Sequence, residues 1–448
     1  LYLPIETIPR EFDAKCLVAH RALQRGYTVF IGRRFKGFRE VARFGPAGVY
    51  FDKSFPKDLQ QYEALLAAGV VPVTLDEEGL VLTNEQDYEP QVRPEAFTIS
   101  PFAFAWGARQ KERMLRFGRG RIAPDQIRVT GNPRFDLLRP EYCGLFREDA
   151  EQIRERYGRL VLINSNFTLC NPHPDYGDMM VFLRRMRRIT SEAEEVYYRN
   201  MLDYKLCLFN RYVDMIRDLA AAYPRTTMVI RPHPSEDIRT WKSRLAGLPN
   251  AVCIFEGSAN AWIHACACLI HSGCTTGIEA WILRKPVIRY NQEPHSRYEP
   301  ELPNRFGYYA PSVNQVLEYV GASLEGGLRD TFECQMPLAL EDIAGLEGKL
   351  AADRILDELD GMSLPPRQPD RSPTMLDRAG RFARGLLQPT RRKEAKAIEQ
   401  QKFPGINKEM IKNRLAFFDT VSPQNRATRI GVRKIDSDIY ALRRRSSD

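Results

Sequence analysis

The chain contains no uninterrupted apolar run approaching the ~18 residues a bilayer-spanning helix needs, so no membrane-crossing helix is expected. Its nine cysteines include no C-x-x-C pair, since Cys266 and Cys268 stand only two apart beside a predicted buried strand. That argues against a zinc site or a dithiol redox centre and for a reduced, cytosolic compartment. A D-x-D motif is missing from the body and occurs only as Asp436-Ser437-Asp438 near the end. That arrangement of acids for holding a divalent ion is thus absent from the body, and no metal and no cofactor is predicted. No internal repeat is present. The chain also lacks an initiator methionine and opens on the strand-like LYLPIE, so Leu1 reads as a processed or trimmed start.

What is present is ordinary globular composition, 43% apolar and 27% charged, with a net charge of +9. The charge is unevenly spread. From Leu364 onward 20 Lys or Arg face 9 Asp or Glu, a net of +11, which leaves residues 1–363 at −2. Nucleic acid is therefore not expected as a ligand of the body. The basic tail points instead to an anionic surface, such as the cytoplasmic face of an inner membrane.

Strand and helix signals alternate from the start: LYLPIE, a helix over Asp13–Arg25, YTVFIG, GVYFD, a helix over Lys57–Ala68, VVPVTLDEEG, FAFAWG, a helix over Ala108–Phe117, and IRVTGNPR. A second series begins at Leu160 with LVLINSNF and continues through a long helix near Ser191–Ala222, TTMVIRPHP, AVCIFEG, CLIHSG and KPVIRY. This spacing predicts parallel sheets of βαβ units. The predicted organisation is a Rossmann-like acceptor domain over residues 1–150, a Rossmann-like nucleotide-binding domain over 151–363, and a basic helical tail over 364–448, partly mobile at its polar end.

In open parallel sheets ligands bind beyond the carboxyl ends of the strands. Four features fall there. LDEEGL places Asp76, Glu77 and Glu78 before Gly79; RPHP spans Arg231 to Pro234; IFEGS carries Glu256; and HSGCTTGIEA runs from His271 through Ser272, Gly273, Thr275, Thr276 and Glu279. The last set enters a helix, whose unpaired N–H groups and positive dipole end suit a phosphate. A carboxylate or histidine to take a proton and cationic or hydroxyl donors to hold a departing phosphate are what group transfer from a nucleotide requires. Glu6 and Arg10 near the first strand end, with Asn132 and Arg134 of GNPRFD, are candidates for acceptor binding.

The run LPIE, REFDAK, DEEG, WG, GNPRFD, RPHP and HSGCTTG resembles bacterial surface carbohydrate biosynthesis proteins over roughly residues 1–345. The order of acidic pair, His-Pro and hydroxyl pair is similar to that of bacterial sialyltransferases, polysialyltransferases and capsule Kdo transferases. The resemblance implies an α/β fold of the GT-B type, two Rossmann-like domains facing a cleft. It also implies transfer of a CMP-activated acidic sugar to a glycan, lipid-linked or protein acceptor. By position it gives the general base to Glu77 or Asp76, the CMP phosphate contact to His233, and the phosphate cradle to Thr275 and Thr276 with Ser272. Here three acids precede Gly79, and the hydroxyl pair is Thr-Thr.

Other readings compete. A CDP-glycerol-type polyol-phosphate transferase shares the His-Pro and Ser/Thr elements. A sugar 2-epimerase would share the fold, but its His-Arg-x-x-Asn signature is missing. A non-catalytic assembly protein would retain the fold with a decayed site. Residue by residue, the acids at 76–78 could form a solvated turn, His233 could be structural between its prolines, and Glu279 could serve only the helix dipole.

Overall fold

The computed structural model describes residues 1–366, 402–421 and 430–444. These form two compact units. The first comprises residues 1–80, 85–142 and the described residues from Leu338 onward, and the second comprises residues 81–84 and 143–337.

In the first unit β1 (Tyr2–Ile5), β2 (Val29–Arg33), β3 (Gly48–Asp52), β4 (Val70–Leu75), β5 (Ala103–Ala105) and β6 (Ile127–Val129) are parallel and ordered β2-β1-β3-β4-β5-β6. Every residue of β3 and β4 is buried, the mark of strands covered on both faces. Strand order reverses between β1 and β3. That is the doubly wound pattern whose ligand crevice opens at the switch point.

The second unit contains β7 (Leu160–Asn164), β8 (Thr227–Arg231), β9 (Ala251–Cys253), β10 (Leu269–His271), β11 (Val287–Tyr290) and β12 (Tyr308–Ala310), again all parallel. Their order, β9-β8-β7-β10-β11-β12, is the Rossmann order, with its switch point between β7 and β10. The 31-residue helix Glu192–Ala222 crosses from β7 to β8. Ser191 and Glu194 start it with a reciprocal capping box, and Leu208, Phe209, Tyr212, Val213 and Ile216 pack against Ile163, Ile230 and Ile270 of the sheet. The α/β class with two mainly parallel sheets is as the sequence predicted.

Two boundaries differ from that prediction. Residues from Leu338 belong to the first unit, where the buried carboxylate of Asp136 accepts the Ala351 and Ala352 N–H groups at 2.8 and 2.9 Å and so caps the helix Ala351–Asp360. Arg25 binds Asp353, Asp357 and Asp360 along the same helix. The segment read as the end of a helical tail contains a hairpin, β13 (Ile430–Asp436) and β14 (Ile439–Arg444), and β14 joins the first sheet antiparallel to β2. A helix over Lys408–Val421 docks on the helix Ile8–Gln24 through Ile411, Leu415 and Phe418. Arg414 donates to Asp13 at 2.7 Å, and His20 Nε2 meets Asp419 at 2.9 Å. The remainder of the tail, including the basic run at 378–397, lies outside the described residues. Among the described residues no helix is long and apolar enough to cross a membrane.

Candidate functional site

The acidic turn of the first unit follows β4. Asp76 Oδ1 accepts the Glu78 N–H at 3.1 Å, a local turn that a short carboxylate makes readily, and Glu77 N donates to Lys53 O at 3.0 Å beyond β3. The two acids then diverge. Asp76 is buried with the Tyr88 hydroxyl beside it, and burial raises its carboxyl to about 6, against the Glu78 and Tyr88 hydrogen bonds that lower it. Glu77 Oε2 accepts from Asn132 Nδ2 at 3.2 Å and lies 3.5 Å from Arg134 Nη1, both residues following β6. Arg10 donates to Glu78 Oε1 at 2.9 Å and to the Glu77 carbonyl at 3.1 Å. The structure thus gathers Glu77, Arg10, Asn132 and Arg134 at the strand ends.

Glu6 leaves β1 at the switch point with Lys53 3.3 Å away. Burial alone would raise its carboxyl, but Lys53 and Arg34 hold it below the usual carboxylate range. Glu11 accepts the Glu6 and Thr7 N–H groups at 3.0 and 3.2 Å, so it closes the start of the first helix. That helix begins at Ile8, five residues before the predicted Asp13, because Pro9 is preorganised for a first turn. Lys15, carried inward by it, is buried with Nζ 4.1 Å from the Phe51 ring centroid. Burial lowers its pKa against the opposing fields of Glu77, Glu11 and Asp52. Lys15 closes the REFDAK run without having been given a role there, and Lys53 lies in none of the quoted motifs.

In the second unit the β7/β10 switch point is occupied by side chains from both strand ends. Asn164, the last residue of β7, donates to Thr276 Oγ1 at 2.9 Å. Beyond β10, Gly273 adopts φ +68° and turns the chain at Pro300, where a Cβ would meet the proline ring at 2.8 Å. The helix Thr275–Ile282 starts immediately after. Gly277 lets it sit directly on the His271 ring, since a Cβ there would lie 2.5 Å from Nε2. His271 is fully buried and its pKa falls to about 3 through burial, with Arg289 adding to the effect. It is a neutral packing residue. Ser272 is buried beside the Tyr212 hydroxyl, Glu279 is buried in the helix, and Thr275 and Thr276 are half-buried at the helix start.

His233 is exposed in the loop after β8. Its Nδ1 accepts the Ser235 N–H at 3.2 Å, which in the neutral ring places the proton on Nε2, a donor suited to a phosphate oxygen. The loop is held by Glu236, a buried carboxylate that pattern reading overlooked. Glu236 accepts from the Ser165 hydroxyl (2.8 Å), Phe167 N–H (3.0 Å), His233 N–H (3.0 Å) and Trp241 Nε1–H (2.9 Å), and burial raises its pKa. It ties the ends of β7 and β8 together. The signal was a glutamate three residues after His233, too common to weigh alone.

Two predicted nucleotide residues stand apart from this group. Arg231 is buried with its guanidinium on the carbonyls of Glu256 and Gly257 and against the Phe255 and Trp262 rings. Burial lowers its pKa to about 10. It braces the loop after β9. Glu256 is exposed at that sheet edge, 3.4 Å from Arg156 and two strands away from β7.

No family model matches the chain. No curated protein matches it. Among solved structures the chain is similar to UDP-GlcNAc 2-epimerase from Neisseria meningitidis bound to UDP-GlcNAc, at 15% identity over 80% of this chain and 98% of that one, with a TM-score of 0.46. It is also similar to MnaA of S. aureus with UDP (13% identity, 82% of this chain and 98% of that one, TM-score 0.47). A third is the wall teichoic acid polymerase TagF (12%, 74% and 75%, TM-score 0.44).

Proposed function

We propose that the protein is a glycosyltransferase of the GT-B type whose second unit binds a CMP-activated acidic sugar, of the sialic-acid or Kdo class, and whose first unit activates the acceptor. The observation that carries this reading is the switch point of the second sheet. There Asn164, Thr276 and a helix start meet in a Rossmann strand order, with His233 offered by the adjoining strand end.

In the proposed step Glu77 takes the proton of an acceptor hydroxyl as its oxygen bonds to the anomeric carbon of the sugar. The bond from that carbon to the phosphate oxygen breaks, and CMP departs with the electron pair. His233 Nε2–H, the Thr275 and Thr276 hydroxyls and the helix start meet the charge that develops on the phosphate. Glu77 is favoured over Asp76 as base because it shares its position with Asn132 and Arg134, whereas Asp76 faces Tyr88. Attack from the face opposite the leaving group inverts the anomeric centre. A monophosphate held by these donors needs no metal, so chelator should leave the activity intact. The acceptor is a glycan or glycoconjugate, and the protein is proposed to work at the cytoplasmic face of a membrane.

Thermal unfolding in the presence of CMP, CDP, UDP and GDP tests the donor. A ligand that binds only the folded state stabilises it by mass action, about 2.7 kcal/mol at a hundredfold excess over Kd. Stabilisation by CMP supports the reading. A response to CDP alone would reassign the donor to an activated polyol phosphate, one to UDP alone to a uridine-linked sugar, and no response to any would favour a non-catalytic assembly protein.

A further inference from the structure

Lys205 is the first buried residue of the helix Glu192–Ala222, one turn before Leu208 and Phe209 enter the core. A crossover helix runs against its strands, so this point lies where the helix leaves the carboxyl edge of the sheet. Its surroundings agree. The acidic and polar groups that bear on it are Glu299, from the loop after β11, Cys170, from the loop after β7, and Glu236, from the loop after β8. Those loops flank the switch point on both sides, because the sheet runs β11-β10-β7-β8 there.

Lys205 as a residue is only 5% exposed, and among the described residues its ammonium makes no hydrogen bond or ion pair, only an approach to the Tyr204 ring at 5.8 Å from the centroid. Neither carboxylate is its counterion by contact. Glu236 is filled by its hydroxyl, N–H and indole donors. Glu299 accepts from Tyr204 (2.6 Å), from Asn291, and from Asn304 (3.3 Å). Both networks close without the lysine. A lysine this enclosed, whose ammonium has no hydrogen-bonded partner, leaves its charge open to something that completes it. At the edge where a nucleotide's phosphate is expected, an anion does so.

We propose that Lys205 is a phosphate-binding residue, a cation supplied from beneath the switch point to a nucleoside mono- or diphosphate whose other phosphate contacts come from His233, Thr275 and Thr276. The assignment rests on the nucleotide reading of the second unit. It adds the one full positive charge that the motif residues lack, since Arg231 is spent on the carbonyls of Glu256 and Gly257.

Calorimetric titration of the full chain with CMP, CDP and UDP, and with cytidine and uridine as phosphate-free probes, tests it. Lys205→Met keeps the length of the side chain and removes the charge. Expected are a loss of nucleotide affinity of about 10- to 100-fold, the range of a lost charge-assisted contact, and unchanged nucleoside affinity. The melting temperature of the ligand-free variant should be equal to or above that of the parent. Lys205→Arg should retain most of the preference for nucleotide over nucleoside. Should the parent bind nucleotide while Lys205→Met binds it equally well, the lysine is not a phosphate contact. A variant that melts lower and loses nucleoside and nucleotide alike would show Lys205 to be a structural balance for Glu236 and Glu299, also overturning the assignment. A parent that binds no nucleotide removes the site reading itself, and Lys205 with it.

Discussion

Replacing Glu236 by glutamine changes one oxygen to an amine and little else in volume, and the geometry says which bond must fail. Phe167 N–H and His233 N–H both reach Oε1, at 3.0 Å each, so the amide oxygen will stay there. The amine then faces Trp241 Nε1–H, which donated to Oε2 at 2.9 Å, and Ser165, whose hydroxyl can turn round and accept. One buried donor, the indole, is left opposite another. An unsatisfied buried donor costs about 1–3 kcal/mol, so Glu236→Gln should destabilise the second unit by that amount. Glu236→Ala strands the two N–H groups as well and should cost more, at least about 3 kcal/mol. Urea unfolding followed by tryptophan fluorescence reads this directly, since Trp241, Trp262 and Trp281 belong to the second unit and only Trp106 to the first. Two units can unfold in two steps, so the second unit's transition is fitted separately. Because Glu236 anchors the His233 backbone, nucleotide affinity should fall in the same variant. A Glu236→Gln protein with the parental urea midpoint, slope and nucleotide affinity would refute the claim that this carboxylate holds the loop.

Glu77→Gln should abolish transfer while nucleotide still binds, and His233→Ala should cost about 2–4 kcal/mol of transition-state stabilisation, as for a lost oxyanion donor. Full turnover in either folded variant removes that residue from the mechanism. Asp76 titrates near 6 in the folded chain against 3.8 normally, so the folded state binds the extra proton between those values. Its contribution is therefore complete below about pH 4 and is lost as pH rises through about 6. Asp76→Asn should stabilise the protein at pH 8 by up to about 3 kcal/mol relative to its effect at pH 4, and equal effects in calorimetry at both pH values would contradict the assignment. The basic run at 378–397 is proposed to bind anionic membranes. Glutamine at Arg391, Arg392, Lys393 and Lys396 should weaken salt-sensitive sedimentation with anionic vesicles by ~1 kcal/mol per charge, and undiminished sedimentation would sink the idea. Substitution is preferable to truncation, because truncation would also remove the helix Lys408–Val421 and β14.

The strand ends were legible because each core strand is a short β-branched or apolar run closed by glycine, proline or a helix start, and periodicity alone places Asp76, Glu77, His233 and Thr276 at one kind of edge. What could not be read was who stands beside them. Lys205 looks like one more charged position on a polar helix until the strand-end loops close over it. Arg231 has the look of a phosphate ligand until the loop after β9 supplies carbonyls for it. The hairpin was missed for another reason. Ile439 to Leu442 is a continuous buried strand, but the arginines on either side of it averaged the segment to a polar tail.

That hairpin fixes an order of assembly. The second unit is drawn almost wholly from one unbroken stretch, 143–337, and all its strands are available once that stretch has been made. The first unit begins earlier in the chain and closes later: His20 waits 399 residues for Asp419, and β2 waits for Ile439 to cover Gly32. During synthesis β2 is therefore an open sheet edge for the whole time the second unit is being made and folded. A nascent chain stalled after residue 337 and before Ile439 carries a finished second unit and an unsealed first one, which exposes it to strand pairing with its neighbours on a polysome.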